Sequence, residues 1–244
     1  MKNVRVLSVR TAKEILRDPL NLIFGLGFPL VILGLLSAIQ ANVPQPLFMI
    51  DKLGPGVTVF GLSFMTLFSA LLISKDRTSA LLLRLYTTPI RPAHYILGYL
   101  LPMLPIALAQ VAVCYLFAMV LGLKWSVNIL LCLVLSLPTA VIFLSLGLLC
   151  GSLLNDKQVG GVCGALLTNL SAWLSGIWFD VGLVGGAFKT IAELLPFYHA
   201  VELQRAAYAG DFAAIPGHLW WVLGYAAVLT VLAVWAFLRQ MKKN

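Results

Sequence analysis

The chain has 244 residues, of which 61% are hydrophobic and only 11% charged, and its mean hydropathy is +0.97. Soluble domains carry about 45–50% apolar and about 25% charged residues, so a water-soluble fold is excluded, and spans of roughly 20 residues each leave little chain for a soluble catalytic domain. The net charge of +8 bears on orientation rather than on nucleic acid, because in a membrane protein the distribution of Lys and Arg matters more than their total.

Residues 1–19 carry Lys2, Arg5, Arg10, Lys13 and Arg17 with Glu14 and Asp18, and they lack the apolar core of a cleaved leader. On a helical wheel Val4, Val9, Ala12, Ile15 and Leu16 share one arc, Lys2, Arg10, Lys13 and Arg17 the opposite one, and Val6 and Leu7 are out of place. This predicts an amphipathic helix lying on the membrane surface and ended by Pro19. Apolar runs follow at 21–39, 54–74, 95–121, 127–150, 159–179 and 219–238, none containing Asp, Glu, Lys or Arg. Each is about long enough to cross roughly 30 Å of hydrocarbon. The prediction is an all-α polytopic membrane protein with six transmembrane helices, a single domain over residues 1–244. The third run is overlong and holds Pro102 and Pro105, which predicts a tilt or a break.

Between the second and third runs lies the longest loop on its side, residues 75–94. Thr78 or Ser79 as cap, Leu81, Leu82, Leu85 and Tyr86 at helical spacing, and Pro89 as stop predict a short amphipathic helix there. Residues 180–217 are too long for a turn and rich in Leu, Phe and Ala. Gly185-Gly186 and Pro196 divide them into two short apolar helices that either dip back into the bilayer, where protein buries their polar ends, or lie on the outer leaflet. Gly147 with Gly151 and Gly160 with Gly164 flank the turn between the fourth and fifth runs and read as close packing of that hairpin. Tyr95, Tyr99, Trp125, Trp178, Tyr198, Trp220, Trp221 and Trp235 read as interfacial anchors.

Six spans put both termini on one side. That side holds thirteen of the seventeen Lys and Arg residues, and the other only Lys52, Lys124, Lys189 and Arg205, which places the termini in the cytoplasm. The cysteines, Cys114, Cys132, Cys150 and Cys163, form no C-x-x-C pair, and neither H-E-x-x-H nor G-x-S-x-G occurs, so no metal, disulfide or hydrolase chemistry is indicated. No phosphate loop is present, so ATP-driven work needs a partner, and no cofactor belongs to the chain itself. The lack of ionisable groups inside the runs weighs against an ion-coupled carrier, although backbone near Pro102, Pro105 or Pro138 keeps that alternative open.

Three stretches carry a resemblance. Asp76-Arg77, followed by Leu82-Leu83-Arg84-Leu85-Tyr86-Thr87-Thr88-Pro89-Ile90 and then Tyr95-Ile96-Leu97-Gly98, resembles the segment after the second span of type-2 ABC exporter permeases. Arg17-Asp18-Pro19 ahead of Pro29-Leu30 is similar to the entry into their first span. Leu195-Pro196-Phe197-Tyr198-His199-Ala200-Val201 with Arg205 and Gly210 is similar to their segment before the last span. Thr78 and Ser79 stand where the family commonly has Gly, and Asp76 where Glu is more usual.

The resemblance implies an N-terminal amphipathic helix bearing Arg10, Lys13 and Arg17, and an extracellular re-entrant element with Pro196, Tyr198, His199 and Arg205. It also implies a cytoplasmic coupling helix in which Asp76, Arg77, Leu81, Leu82, Arg84, Leu85, Tyr86 and Pro89 meet a separate ABC ATPase subunit. Arg77 and Arg84 would make its polar contacts to the ATPase or to phospholipid headgroups. The implied function is the cell-membrane permease subunit of an exporter of hydrophobic or amphipathic substrates, paired with a second copy or a related permease. ATP and Mg would be bound by the partner. The alternatives are an ion-coupled secondary transporter and a non-transporting membrane scaffold or sensor.

Overall fold

The computed structural model describes residues 2–19, 23–78 and 92–241, and the regular structure among them is entirely helical. In chain order the helices are α1 (Lys2–Leu16), α2 (a π turn Ile23–Gly27 running into Phe28–Asn42), α3 (Ile50–Thr78), α4 (Pro92–Val120) and α5 (Asn128–Leu153). Then come α6 (Asp156–Val159, a π stretch Gly160–Leu167, and Thr168–Trp173), α7 (Val181–Val184), α8 (Gly186–Leu194), α9 (Pro196–Ala209) and α10 (Ile215–Met241). Five of them, α2, α3, α4, α5 and α10, are long and apolar enough to cross a membrane.

α3 is the axis of the bundle. Its apolar stretch is 89% buried, against 17–50% for the other four long helices, and α2, α4, α5, α6 and α9 all pack on it. A helix enclosed this completely needs small side chains where neighbours cross, and α3 supplies Ser63, Thr66, Ser69 and Ala70, all buried. Their hydroxyls bond to backbone: Ser63 Oγ donates to Phe60 O (2.6 Å), Ser69 Oγ to Thr66 O (3.2 Å), and Thr66 Oγ1 crosses to Phe143 O on α5 (2.9 Å). α5 answers with glycine. A Cβ on Gly147 would lie 2.6 Å from Thr66 O, and one on Gly151 would lie 2.6 Å from Ala70 O. Gly147 and Gly151 therefore close the α3–α5 crossing and not the hairpin expected from their position in the sequence, while Gly160 and Gly161 face open space.

Other expectations shift for physical reasons. α4 runs unbroken through Pro102 and Pro105, because packed neighbours and local adjustment accommodate a proline's freed carbonyl. The run at 159–179 is a shorter composite helix ending at Trp173. Its glycine-rich middle widens to a π stretch, where Thr168 Oγ1 takes up the Cys163 carbonyl (2.8 Å), a repair of the kind π-bulges require. Thr78 is the last residue of α3, and Ser79 and the helix expected after it lie outside the described residues. Tyr95 and Tyr99 are 1% and 3% exposed; they are core residues and not interfacial anchors. Trp125, Trp220 and Trp235 do remain exposed.

Punctuation in 180–217 acts as its residues dictate. Gly185 takes φ +64°, a left-handed value natural only to glycine, and separates α7 from α8. Pro196 occupies the first turn of α9, where its missing N–H costs nothing, and Gly210 at φ +77° ends that helix. The segment holds three helices, one more than expected.

The α3–α5 crossing yields a contrast. Gly151→Ala drives a methyl into backbone that cannot yield, and it is expected to lower the stability of the purified protein by about 1–3 kcal/mol, as overpacking does. Gly160→Ala should leave thermal unfolding in detergent unchanged. Equal melting temperatures for the two variants contradict this packing.

Candidate functional site

The N-terminal helix does not simply float on a surface. Leu7, Thr11 and Ile15, one turn apart, form a stripe turned to α4, with Thr11 1% and Ile15 9% exposed. Leu7 sits so close to Gly98 that a Cβ there would lie 2.6 Å from its own. Leu7, out of place on the amphipathic wheel, thus lies on the docking stripe. Val6, Val9 and Leu16 stay exposed on another side, so the apolar arc is divided between α4 and the surroundings. Lys13 and Arg17 are exposed.

This docking brings Arg10 to the end of α3. Arg10 grips Asp76 with both terminal nitrogens, Nη1 to Oδ2 and Nη2 to Oδ1 at 2.6 Å, the bidentate geometry that suits a guanidinium. Arg10 also pairs with Glu14 one turn on (2.6 Å), and Tyr99 of α4 donates its hydroxyl to Asp76 Oδ2 (2.7 Å). The Asp76 side chain is 3% exposed. Hydrogen bonding to Asp76 holds the Arg10 guanidinium above its ordinary value against the cost of burial. Burial first, then the charge of Asp76, push the Glu14 carboxyl up.

The next residues extend the junction. Arg77 donates through Nη1 to Ser152 O and through Nη2 to Leu154 O (2.5 Å), so it caps the carbonyl end of α5, where a cation is favoured. Ser74 Oγ bonds Asp156 Oδ1 in the first turn of α6. That turn is held by a capping box of Asn155 and Gln158. Residues 74–77 therefore bind α1, α4, α5 and α6 to the end of α3. Leu81, Leu82, Arg84, Leu85, Tyr86 and Pro89 lie outside the described residues. Asp76 and Arg77 were expected to face an ATPase; they point into the bundle and engage their partners there.

α9 is the second polar element. Gln204, fully buried, donates to Cys132 O (3.1 Å) and accepts from Tyr115 Oη (3.1 Å). Arg205 spreads its donors over Lys52 O at the start of α3 (3.2 Å), Gly176 O after α6 (2.9 Å) and Glu202 (2.7 Å). Pro196 is buried, Tyr198 is half-buried, and His199 lies against His218 and Trp221.

Outside these two ends, an open apolar groove of about 490 Å³ runs along α6, lined by Gly161, Ala165, Asn169, Leu170, Trp173 and by Phe188 of α8. Among the described residues no cluster of His, Cys, Asp and Glu is fit to hold a metal ion.

A family model described as ABC-2 type transporter matches residues 2–208. The chain belongs to the ABC-2 type transporter family. It is thus a type-2 ABC transporter permease, a membrane transport component, and permeases of this family generally work with a separate ATP-binding subunit. No curated protein sequence matches the chain. The match runs from the N-terminal helix to the last residues of α9 and so includes the junction at residues 74–77.

Sequence reasoning missed Tyr99, Ser74 with Asp156, Gln204 and His218. Only Tyr99 left a trace, one turn after Tyr95 and beside Gly98. The remaining contacts join residues 72 to 89 positions apart, or 19 for the histidines, and no local pattern marks them.

The Arg10–Asp76 junction predicts an asymmetry. Arg10→Ala takes the bidentate guanidinium from a buried carboxylate and should cost about 2–3 kcal/mol, toward the low end for buried pairs because Arg10 is a third exposed. Arg10→Met with Asp76→Leu should recover most of that loss. Thermal unfolding of the three proteins in one detergent checks it, and independent, additive losses contradict the pairing.

Proposed function

We propose that this permease is one half of an exporter driven by a separate ATPase subunit, with six membrane crossings, both termini in the cytoplasm, and a second copy or a related permease facing it. The observation that supports this best is the junction at residues 74–77. The loop predicted to carry the coupling helix, 75–94, begins in the last turn of α3, and α3 is fastened at that end to α1, α4, α5 and α6. A push on that segment from a nucleotide-driven ATPase is thereby passed to five helices together. ATP acts through its differential affinity for the two states of the motor, and the permease follows the motor. Beside Arg10, α1 also offers an open groove of about 680 Å³ lined by Val6, Val9, Lys13 and Arg17, which suits contact with a soluble subunit.

Orientation follows the excess of Lys and Arg at this end. The sixth crossing is α6, about 27 Å long at 1.5 Å per residue, and α9, wedged among α3, α5 and α10, is the re-entrant element. The exposed face of α6 supports the pairing. Asn169 stands on it between Ala165 and Trp173, and a polar side chain facing lipid is costly, whereas small residues and an amide suit a helix–helix contact. Hydrophobic or amphipathic cargo fits the apolar lining of the same groove.

An ion-coupled carrier finds less support. Asp76 is the one Asp, Glu, Lys or Arg residue that is buried among the described residues, and it is held by Arg10 and Tyr99 at a helix end.

Two measurements test this. Leu82→Ala, Arg84→Ala and Leu85→Ala should leave the permease in the membrane yet separate transport from ATP hydrolysis by the co-purifying ATPase, and normal coupling in all three rejects the coupling role. In a chain whose four cysteines are replaced, Ala165→Cys should form a disulfide-linked dimer under mild oxidation, while Val134→Cys on the exposed face of α5 should not. Equal yields from the two contradict a pairing face on α6.

A further inference from the structure

At the end of the bundle remote from Asp76, two imidazoles meet. His199, in the first turn of α9, is 8% exposed, and its Nδ1 lies 2.9 Å from Nδ1 of His218 in the first turn of α10. Its Nε2 lies 2.8 Å from the Glu193 carbonyl at the end of α8. A carbonyl only accepts, so Nε2 carries the proton, and in neutral His199 Nδ1 is a bare lone pair. His218 must therefore donate its Nδ1–H to it. One added proton is tolerated, because a His218 imidazolium still donates through Nδ1. A second is not: it places an N–H on both facing nitrogens and two positive charges 2.9 Å apart.

Aromatic rings close the site. Trp221 of α10 stacks on His199 at 4.9 Å and 8°, Tyr198 stands edge-on to both imidazoles, and Tyr225 donates its hydroxyl to Leu194 O (2.7 Å). The charged groups around them are engaged elsewhere. Glu193 of α8 pairs with Lys189 (3.7 Å), Glu202 of α9 pairs with Arg205 (2.7 Å), and Asp180 caps α7. α3 contributes Asp51 and Lys52 at this end, and α5 carries no Asp, Glu, Lys, Arg or His. Among the described residues no carboxylate hydrogen-bonds to either ring.

We propose that His199 and His218 form a proton-operated latch that fastens the first turn of α9 to α10 and opens when the pair takes up a second proton. Burial first, then the charge of His218, hold His199 below its ordinary value of about 6.5, against the raising effect of the Glu193 carbonyl. A depressed value in the closed state means that the latch's stability is complete above about pH 6.5 and is lost as the pH falls below it. Opening is local, because Gln204 and Arg205 anchor the second half of α9 independently of the imidazoles. The proposed re-entrant element is then loosened by acid at one edge, the junction of α8 and α9.

The chain has only three histidines, so nitrogen-15 NMR of histidine-labelled, full-length protein in lipid nanodiscs reads the pair directly. The expected result is an Nε2–H tautomer for His199 at neutral pH and a second protonation displaced to lower pH than that of an isolated histidine. Hydrogen exchange of the amides in 197–201, corrected for intrinsic rates, should show an opening constant that rises up to about tenfold per pH unit in the acid range, one proton being taken up on opening. In His218→Gln the amide can donate to neutral His199 or accept from its protonated form, so opening should lose the part of its pH dependence that the facing charge imposes and keep only the weaker part due to burial. Independent titration of the two histidines near the ordinary value overturns the proposal, as does the same pH-dependent opening in His218→Gln. Should that variant fail to fold, the wild-type titration alone decides.

Discussion

A carboxylate taken out of water with its charge intact needs a partner that is charged, close and correctly shaped, and Asp76 imposes that requirement on the whole basic end of this permease. The Arg10 guanidinium meets it from one helix and the Tyr99 hydroxyl from another. Each of these side chains has to be carried to Asp76 by its backbone. The position of α1 on α4 follows from this, with Leu7 against Gly98 and Thr11 and Ile15 buried beneath. A single charge at the end of α3 thus fixes where a helix more than fifty residues earlier in the chain must lie. Arg77 and Ser74 repeat the device toward α5 and α6.

The opposite end is organised differently. There α9 is held by neutral and backbone-directed hydrogen bonds: Gln204 to Cys132 and Tyr115, and Arg205 to the carbonyls of Lys52 and Gly176. Between the two ends the glycine-to-hydroxyl crossing of α5 on α3 leaves no free volume. A core packed this closely transmits displacement instead of absorbing it. α6 contrasts with it, because its glycine-rich π stretch leaves Gly160 and Gly161 facing open space and gives the bundle one open flank.

Much of this was legible in the sequence because it is local. Apolar runs located the long helices, and Gly185 and Pro196 divided the segment before the last span where the structure divides it. What the sequence left open depends on partners far away along the chain. Arg10 reads as part of a charged face until Asp76 is placed opposite it. Arg77 reads as an exposed cation until the carbonyl end of α5 reaches it. Leu7 looked misplaced only because the wheel was referred to a membrane and not to α4. Gly147 and Gly151 announced a close approach without saying which helix approaches, since glycine carries no side chain to specify its neighbour.

Within the proposed exporter, α1 and the end of α3 move as one body because the bidentate Arg10–Asp76 pair does not stretch. The most direct measurement of that claim is a distance between spin labels at Lys13→Cys on α1 and Lys75→Cys at the end of α3, both exposed positions. It would use a cysteine-free permease reconstituted with its ATPase, compared without nucleotide and with trapped ATP. The account predicts an unchanged mean distance, with the Asp76→Asn protein losing that constancy. A mean distance that shifts with nucleotide in the otherwise unaltered permease contradicts it.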